Sequence, residues 1–474
     1  MSVVDSRRTV PRSTTGGHTD RQRPGTPGDV PAGADREGAE PVDGVPAGPA
    51  GAREPAALHG AAAAGAAPAR PVDVDALLAP GALQPAYQPI LDLEHGTLLG
   101  FEALARWPGL GVSPDVAFAA ARGAGRTAEL DWACRAAALA GALDARLGRE
   151  ATLFVNVEPA TLGSPPAAVQ PWLDRAERSL RVVVEITERA LVGRPASLLA
   201  IVAAIRDRGW GVALDDVGAV PESLAMMPLV RPDVVKLDLS LVQRFPDAEQ
   251  AKVVAAVMAY AEHAGALVLA EGIENEADLE RARSFGATAG QGWHLGRPAP
   301  LPANRQPATR LATTGPRLAV AATPFDVVGS QRTQIGRKRM LLSMSRHIED
   351  QGLELPIPPV VLSAFQAAER FDAAAARRYE RLAARCPLVV ALGAGMPAEP
   401  APAVRGVDLD DDDPLVGEWT VAVVGAHYAA ALIGRDMGDG GPDLDRRFEF
   451  TVTHDPRLVL TAARSLLRRV GSPG

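Results

Sequence analysis

From about residue 75 the apolar positions alternate between two rhythms. Short, β-rich apolar runs at 87–93, 98–105, 152–156, 181–186, 211–214, 234–237, 267–270 and 287–291 read as strands. Between most of them lie runs with helical periodicity, at 129–147, 195–208, 248–264 and 276–285. Alternating βα units over roughly 230 residues predict an α/β fold with a mostly parallel sheet. About eight strands in that length match a TIM-like (β/α)8 barrel. The opening is different: Asp92-Leu-Glu-His-Gly-Thr97 reads as a tight turn with no helix. That predicts a hairpin, and so one antiparallel strand at the start of the barrel.

Past the barrel, expected over 75–305, residues 306–322 mix Pro, Ala, Thr and Arg and read as a linker. A second α/β domain is expected over 323–470. Its predicted helices are 337–349, 360–371 and 373–385, its strands 388–392, 419–425, 429–434 and 448–452. A last helix over 456–470 is expected to start at an Asp455 cap. Residues 1–72 are rich in Pro, Gly, Ala, Arg and Asp, with no aromatic residue, and predict a disordered tail. No internal repeat is visible.

Composition narrows the function. The 474 residues are 47% hydrophobic, enough for a real core, and carry a net charge of −8. No Lys/Arg tract suggests a nucleic-acid polymer as partner. An acidic protein that handles a phosphate substrate needs another source of positive charge, such as metal ions. Cys134 and Cys386 are isolated thiols that suggest no disulfide and fit a reducing cytoplasm. The most apolar long stretch, 253–270, is broken by Glu262 and His263, so no membrane span is expected. Arg7-Arg8 is followed by no apolar run, which argues against a twin-arginine signal.

The candidate chemistry lies at the strand ends. Glu102, Asn156, Glu185, Asp215, Asp216 and Glu271, with Lys236 and Gln291 among them, each fall at or near the C-terminal end of a βα unit. In a TIM-like barrel those ends meet on one face, where active sites lie. Carboxylates with an Asn carbonyl suit hard cations such as Mg²⁺ or Mn²⁺. Adjacent strand residues point to opposite faces, so Asp215 and Asp216 can share a site only where the strand gives way to a loop. A first carboxylate can then bridge two metals about 3.5–4 Å apart while the second binds one of them. A lone acid at a strand end is usually a cap. Glu185, inside an apolar strand, needs a partner, and the whole set on successive strands is hard to read as caps.

The ordered blocks resemble the EAL family: Tyr87-Gln-Pro-Ile, Phe101-Glu-Ala-Leu-Ala-Arg106, Phe154-Val-Asn-Val, Val184-Glu-Ile-Thr-Glu188, Ala213-Leu-Asp-Asp216, Val235-Lys-Leu-Asp238, Ala270-Glu-Gly-Ile-Glu274 and Gln291-Gly-Trp. The resemblance implies a TIM-like barrel with one reversed strand that hydrolyses cyclic di-GMP to linear pGpG, without a covalent intermediate, using two Mg²⁺ or Mn²⁺ ions per site. It implies metal ligation by Glu102, Asn156, Glu185, Asp215 and Asp216, with Gln291 supporting that shell. Lys236 would contact the attacking water, Glu271 would act as base or ligand, and Glu188 would anchor the loop after Asp216. Gln88, Arg106 and Asp238 would contact the nucleotide. Dimer contacts through the barrel are also implied.

One block departs. Where the family reads Asp-Asp-Phe-Gly-Thr-Gly-Tyr-Ser-Ser, this chain reads Asp-Asp-Val-Gly-Ala-Val-Pro-Glu-Ser over 215–223. A catalytically inactive cyclic di-GMP receptor or a signalling scaffold is therefore the alternative. Residues 323–470 resemble a DICT sensory domain in Gly417-Glu-Trp-Thr-Val-Ala-Val-Val-Gly, His427-Tyr-Ala-Ala-Ala-Leu and Arg446-Arg-Phe-Glu-Phe-Thr-Val-Thr-His-Asp. That resemblance implies a regulatory signal or partner of unspecified chemistry. His427, Tyr428 and His454 have no ligand spacing, and no site is assigned to them.

Overall fold

The computed structural model describes residues 72–158, 165–187, 193, 195–218, 221–303, 308, 311, 321–329 and 333–471. The tail expected over 1–72 lies outside them except for Val72, which precedes a one-turn helix, Val74–Leu78, capped by Asp73.

Eight strands close a barrel in chain order: β1 Gln84–Asp92, β2 Leu98–Arg106, β3 Thr152–Asn156, β4 Arg181–Thr187, β5 Gly211–Val217, β6 Val234–Leu237, β7 Leu267–Ala270 and β8 Ala289–Gly290. β1 runs antiparallel to both β2 and β8, and all other pairs are parallel. The β1–β2 hairpin turns through Gly96 at φ 66°, as the missing helix predicts. Helices Thr127–Asp144, Gln170–Ser179, Pro195–Asp207, Ala248–Ala264 and Glu276–Ser284 cover the barrel. Helix Ala248–Ala264 starts at an Asp247/Gln250 capping box and stops at Gly265, which satisfies backbone groups that helix ends otherwise leave open.

One apolar residue from every strand packs in the barrel interior: Ile90, Leu99, Phe154, Val183, Ala213, Val234, Leu269 and Ala289, joined by Leu311 from below. Side chains repeat every second residue along a strand. The inward position two residues on from this layer is therefore Asn156, Glu185, Asp215, Lys236, Glu271 or Gln291. On the reversed β1 the step runs the other way, from Ile90 to Gln88. An apolar floor thus carries a polar layer on seven strands; on β2 the residue two positions on from Leu99 is Phe101, and the acid, Glu102, is one further along.

The C-terminal part is a seven-stranded sheet in the order β12-β11-β10-β13-β14-β15-β9. Its strands are β9 Gln334–Arg337, β10 Val360–Ala367, β11 Leu388–Ala394, β12 Arg405–Asp408, β13 Glu418–Val424, β14 Ala429–Asp436 and β15 Arg447–Thr453. The helix expected over 360–371 is instead β10, the centre of this sheet. Val-Val-Leu-Ser-Ala is buried on both faces there, and an apolar run covered on both sides loses the alternation that marks a strand. Helices Lys338–Glu354 and Ala373–Ala383 cover one face. Helix Pro456–Leu467, capped by Asp455 as expected, covers the other and packs against the barrel helices Pro195–Asp207 and Met227–Val230. No helix is long and apolar enough to cross a membrane among the described residues. Both cysteines are free.

Candidate active site

Lys236 is the centre of the polar layer. It is 1% exposed, and an ammonium so buried needs anionic partners. Its Nζ lies 2.7 Å from Glu185 Oε1, 2.9 Å from Asp215 Oδ1, 2.7 Å from Glu271 Oε1 and 3.8 Å from Glu102 Oε2. Four carboxylates from β2, β4, β5 and the end of β7 thus share one cation. Neighbours hold Glu102 in place: Asn156 Nδ2 donates to Oε1 at 2.8 Å and Gln291 Nε2 to Oε2 at 2.6 Å.

Asp215 and Asp216 reach one site by a different route from the expected loop. β5 continues through Val217, and its register against β6 breaks between Leu214 and Val217. Asp216 occupies the left-handed region at φ 57°. This bulge turns two consecutive side chains the same way inside a strand. Carboxylate oxygens of Asp215, Asp216 and Glu271 come within 4.8 Å of one another.

Too many anions face one ammonium, and the titrations respond. Burial, then the neighbouring Glu102 charge, pushes Glu185 well above the usual carboxylate range. Burial raises Glu271 to about 8 even though Lys236 opposes the shift. Burial also acts upward on Glu102, but Lys236 and the donors Gln291 and Asn156 outweigh it and hold that carboxyl low. Lys236 is desolvated, yet Asp215 and its other acid partners lift it well above the ordinary lysine value. As a carboxylate, Glu185 has no donor other than Lys236, and Gln291 Oε1 has no hydrogen-bond partner. A proton on Glu185 supplies a donor to Glu102. Buried oxygens without donors, clustered with acids that metal-free burial drives toward protonation, fit a hard-cation site.

The remaining expected residues divide. Gln88 joins the layer: it accepts from Gln291 Nε2 at 3.0 Å and donates to the Gly296 carbonyl at 3.0 Å. Arg106 stands half-buried at the end of β2 and donates to its neighbour's carbonyl, Ala105 O, at 2.8 Å. Asp238 spends one oxygen on the N-cap of Leu239–Val242, 2.8 Å from Ser240 N. Glu188 lies outside the described residues.

The sequence reading missed Asp131 and Arg135, a buried ion pair on helix Thr127–Asp144. Asp131 Oδ1 accepts from Glu158 N at 3.1 Å and so ties down the chain just after β3. Their i,i+4 spacing was the available signal. Gly272, beside Glu271, was also unmarked. It holds φ +66°, and a Cβ there would meet Leu239 Cβ at 2.5 Å, so only glycine fits.

Residues 73–298 match the EAL domain family. Residues 322–436 match the family described as a sensory domain in diguanylate cyclases and two-component systems; the stretch from Arg446 lies beyond that match. The chain is 34% identical over 228 residues to the cyclic di-GMP phosphodiesterase RocR of Pseudomonas aeruginosa, over 46% of this chain and 58% of that protein. It is 29% identical over 214 residues to the probable cyclic di-GMP phosphodiesterase PdeB of Escherichia coli, over 44% of this chain and 41% of that protein. Among solved structures, Klebsiella pneumoniae BlrP1 in a manganese and cyclic di-GMP complex aligns with 32% identity and a TM-score of 0.42, covering 46% of this chain and 57% of that one. The EAL domain of Mycobacterium smegmatis DcpA aligns with 26% identity and a TM-score of 0.38, covering 46% and 93%. The chain spans about half the length of these curated relatives.

Proposed function

With an EAL domain at residues 73–298 and a DICT domain at 322–436, we propose that the chain hydrolyses one phosphodiester bond of cyclic di-GMP to give linear pGpG, under the control of its C-terminal domain. One observation carries the reading: the carboxylates of Glu102, Glu185, Asp215 and Glu271 converge around the buried ammonium of Lys236, and Asp216 brings a fifth within 4.8 Å of Asp215 and Glu271. Five carboxylates less one ammonium leave a deficit of about four charges, which two divalent cations would offset.

Mg²⁺ or Mn²⁺ would be held by Glu102, Asn156, Glu185, Asp215 and Asp216, with Gln291 supporting the shell. Such ions, when bound, lower the pKa of water and stabilise phosphoryl oxygens. The chain's own groups do the rest. Glu271, whose Oε1 lies 2.7 Å from Lys236 Nζ at the end of β7, would accept the proton from water. Lys236, fixed by its acids, supplies positive charge that needs no reorganisation during reaction. Gln88, Arg106 and Asp238 border the same face and would orient the nucleotide, and Glu188 would anchor the loop after Asp216.

Purified protein is incubated with cyclic di-GMP and Mg²⁺ or Mn²⁺, and pGpG is followed by chromatography. Metal-dependent product is expected, lost by more than about 100-fold in Glu102→Ala, beyond the effect typical of an outer-shell partner. Binding without product would make the barrel a receptor, the reading that the altered 217–223 segment favours.

A further inference from the structure

The outer faces of β3 and β4 border a cavity of about 380 Å³ that the proposed chemistry does not use. It lies beneath helices Thr127–Asp144, Gln170–Ser179 and Pro195–Asp207, and its walls include Val155, Val184, Leu173 and Ile201. That volume falls within the range of small-molecule sites, and an apolar lining with few polar groups is their usual chemistry.

Trp132, Arg135, Ser197, Arg208 and Trp210 interrupt the apolar wall. Trp210 and Arg135 line the cavity and are 9% and 7% exposed. Trp210 Nε1 and Arg135 Nε have no hydrogen-bond partner. Buried N–H donors are almost always satisfied, so two unsatisfied ones on residues that line one cavity point to an absent acceptor. The charge of Arg135 is already balanced. Its Nη2 pairs with Asp131, and its guanidinium lies 3.4 Å from the centroid of the Trp132 ring. Arg208, near the rim, is engaged with Glu177 at 3.3 Å. An anionic ligand would add a buried charge with no counter-charge to spare; a neutral carbonyl would satisfy the donors without one.

We propose that this cavity is a binding site for an uncharged, largely apolar small molecule that offers carbonyl oxygen to Trp210 Nε1 and Arg135 Nε. The exposed small residues Ala200 and Ala204 on helix Pro195–Asp207 leave room for entry. Val155 and Val184 line the cavity from the strand positions directly before Asn156 and Glu185. An occupant would therefore press on the two strands that present those groups to the barrel mouth.

The probe is 6-propionyl-2-(dimethylamino)naphthalene, a neutral aromatic ketone whose emission shifts blue in apolar surroundings, titrated into the full chain. Saturable, blue-shifted binding of one probe per chain is expected. Ala204→Trp, at an exposed helix position, should weaken it at least tenfold by narrowing the mouth. Trp210→Phe removes one donor and should weaken the probe about fivefold while leaving naphthalene unaffected. Circular dichroism and melting temperature establish that both variants are folded. The proposal is overturned if no saturable binding is seen, or if Ala204→Trp leaves it unchanged. It is equally overturned if Trp210→Phe has no effect on the ketone, or if 2-naphthoate displaces the probe better than 2-acetylnaphthalene does.

Discussion

Lys236 carries a heavy electrostatic burden, since its ammonium lies among Glu102, Glu185, Asp215 and Glu271. Removing one partner of a buried ionic set costs about 3–5 kcal/mol. Lys236→Met should lose stability of that order in urea titrations with EDTA present, and divalent metal should restore part of it. An unchanged urea midpoint would contradict this account of the site. The pH response follows from Glu271, whose carboxyl is raised to about 8 from 4.5. Between those values the folded state binds more protons than the unfolded state, so stability falls as pH rises. Glu185 shifts in the same direction. Metal-free protein should therefore melt at progressively lower temperature from about pH 5 to 8. Affinity for Mg²⁺ or Mn²⁺ should rise over the same interval, because the ions displace those protons. A melting temperature that climbs with pH in EDTA would show that these acids are ionised without metal.

Single elements bring the groups together. The β5 bulge lets Asp215 and Asp216 face one site from within a strand. The turn after β7 depends on Gly272, whose left-handed φ and contact with Leu239 Cβ leave no room for a side chain. Leu239 Cβ is fixed to its backbone and cannot swing aside. Gly272→Ala should cost about 1–3 kcal/mol and should also reduce turnover, because it displaces the neighbouring Glu271. Urea denaturation and the pGpG assay read the two effects separately, and wild-type stability in the variant would mean the turn relaxes freely.

At the scale of the molecule, one hydrophobic cluster runs from the barrel into the C-terminal sheet and includes Leu198, Leu229, Val360 and Leu466. Across that junction Arg464, on helix Pro456–Leu467, donates to the Leu229 carbonyl through Nε at 2.7 Å and also through Nη2. Leu229 belongs to the short helix Met227–Val230, which follows directly on the segment after Asp216. This contact ties the C-terminal helix to the element that follows the altered 217–223 segment. Arg464→Met should weaken docking by about 1–3 kcal/mol, the cost of leaving a buried carbonyl unpaired. Hydrogen exchange should accelerate at the amides of Met227, Leu229 and Val230; protection equal to wild type would show that Arg464 does not hold this helix.

The barrel was legible in the sequence because its determinants are local. Strand and helix periods alternate visibly between 87 and 291, and a missing helix marks the reversed β1. The acids at successive strand ends announced a shared face, since parallel strands must bring those ends together. Three features could not be read this way. β10 reads as a helix in the sequence because burial on both faces erases the period-two signal. The Asp215-Asp216 arrangement depends on a register break against β6, a property of strand pairing that no single strand encodes. The docking of helix Pro456–Leu467 on the barrel joins residues 235 positions apart, Arg464 and Leu229. Local pattern determined which residues form the elements and which side chains share a face. Long-range packing alone decided how the two parts meet and which buried groups lose their water, and with it their ordinary titration.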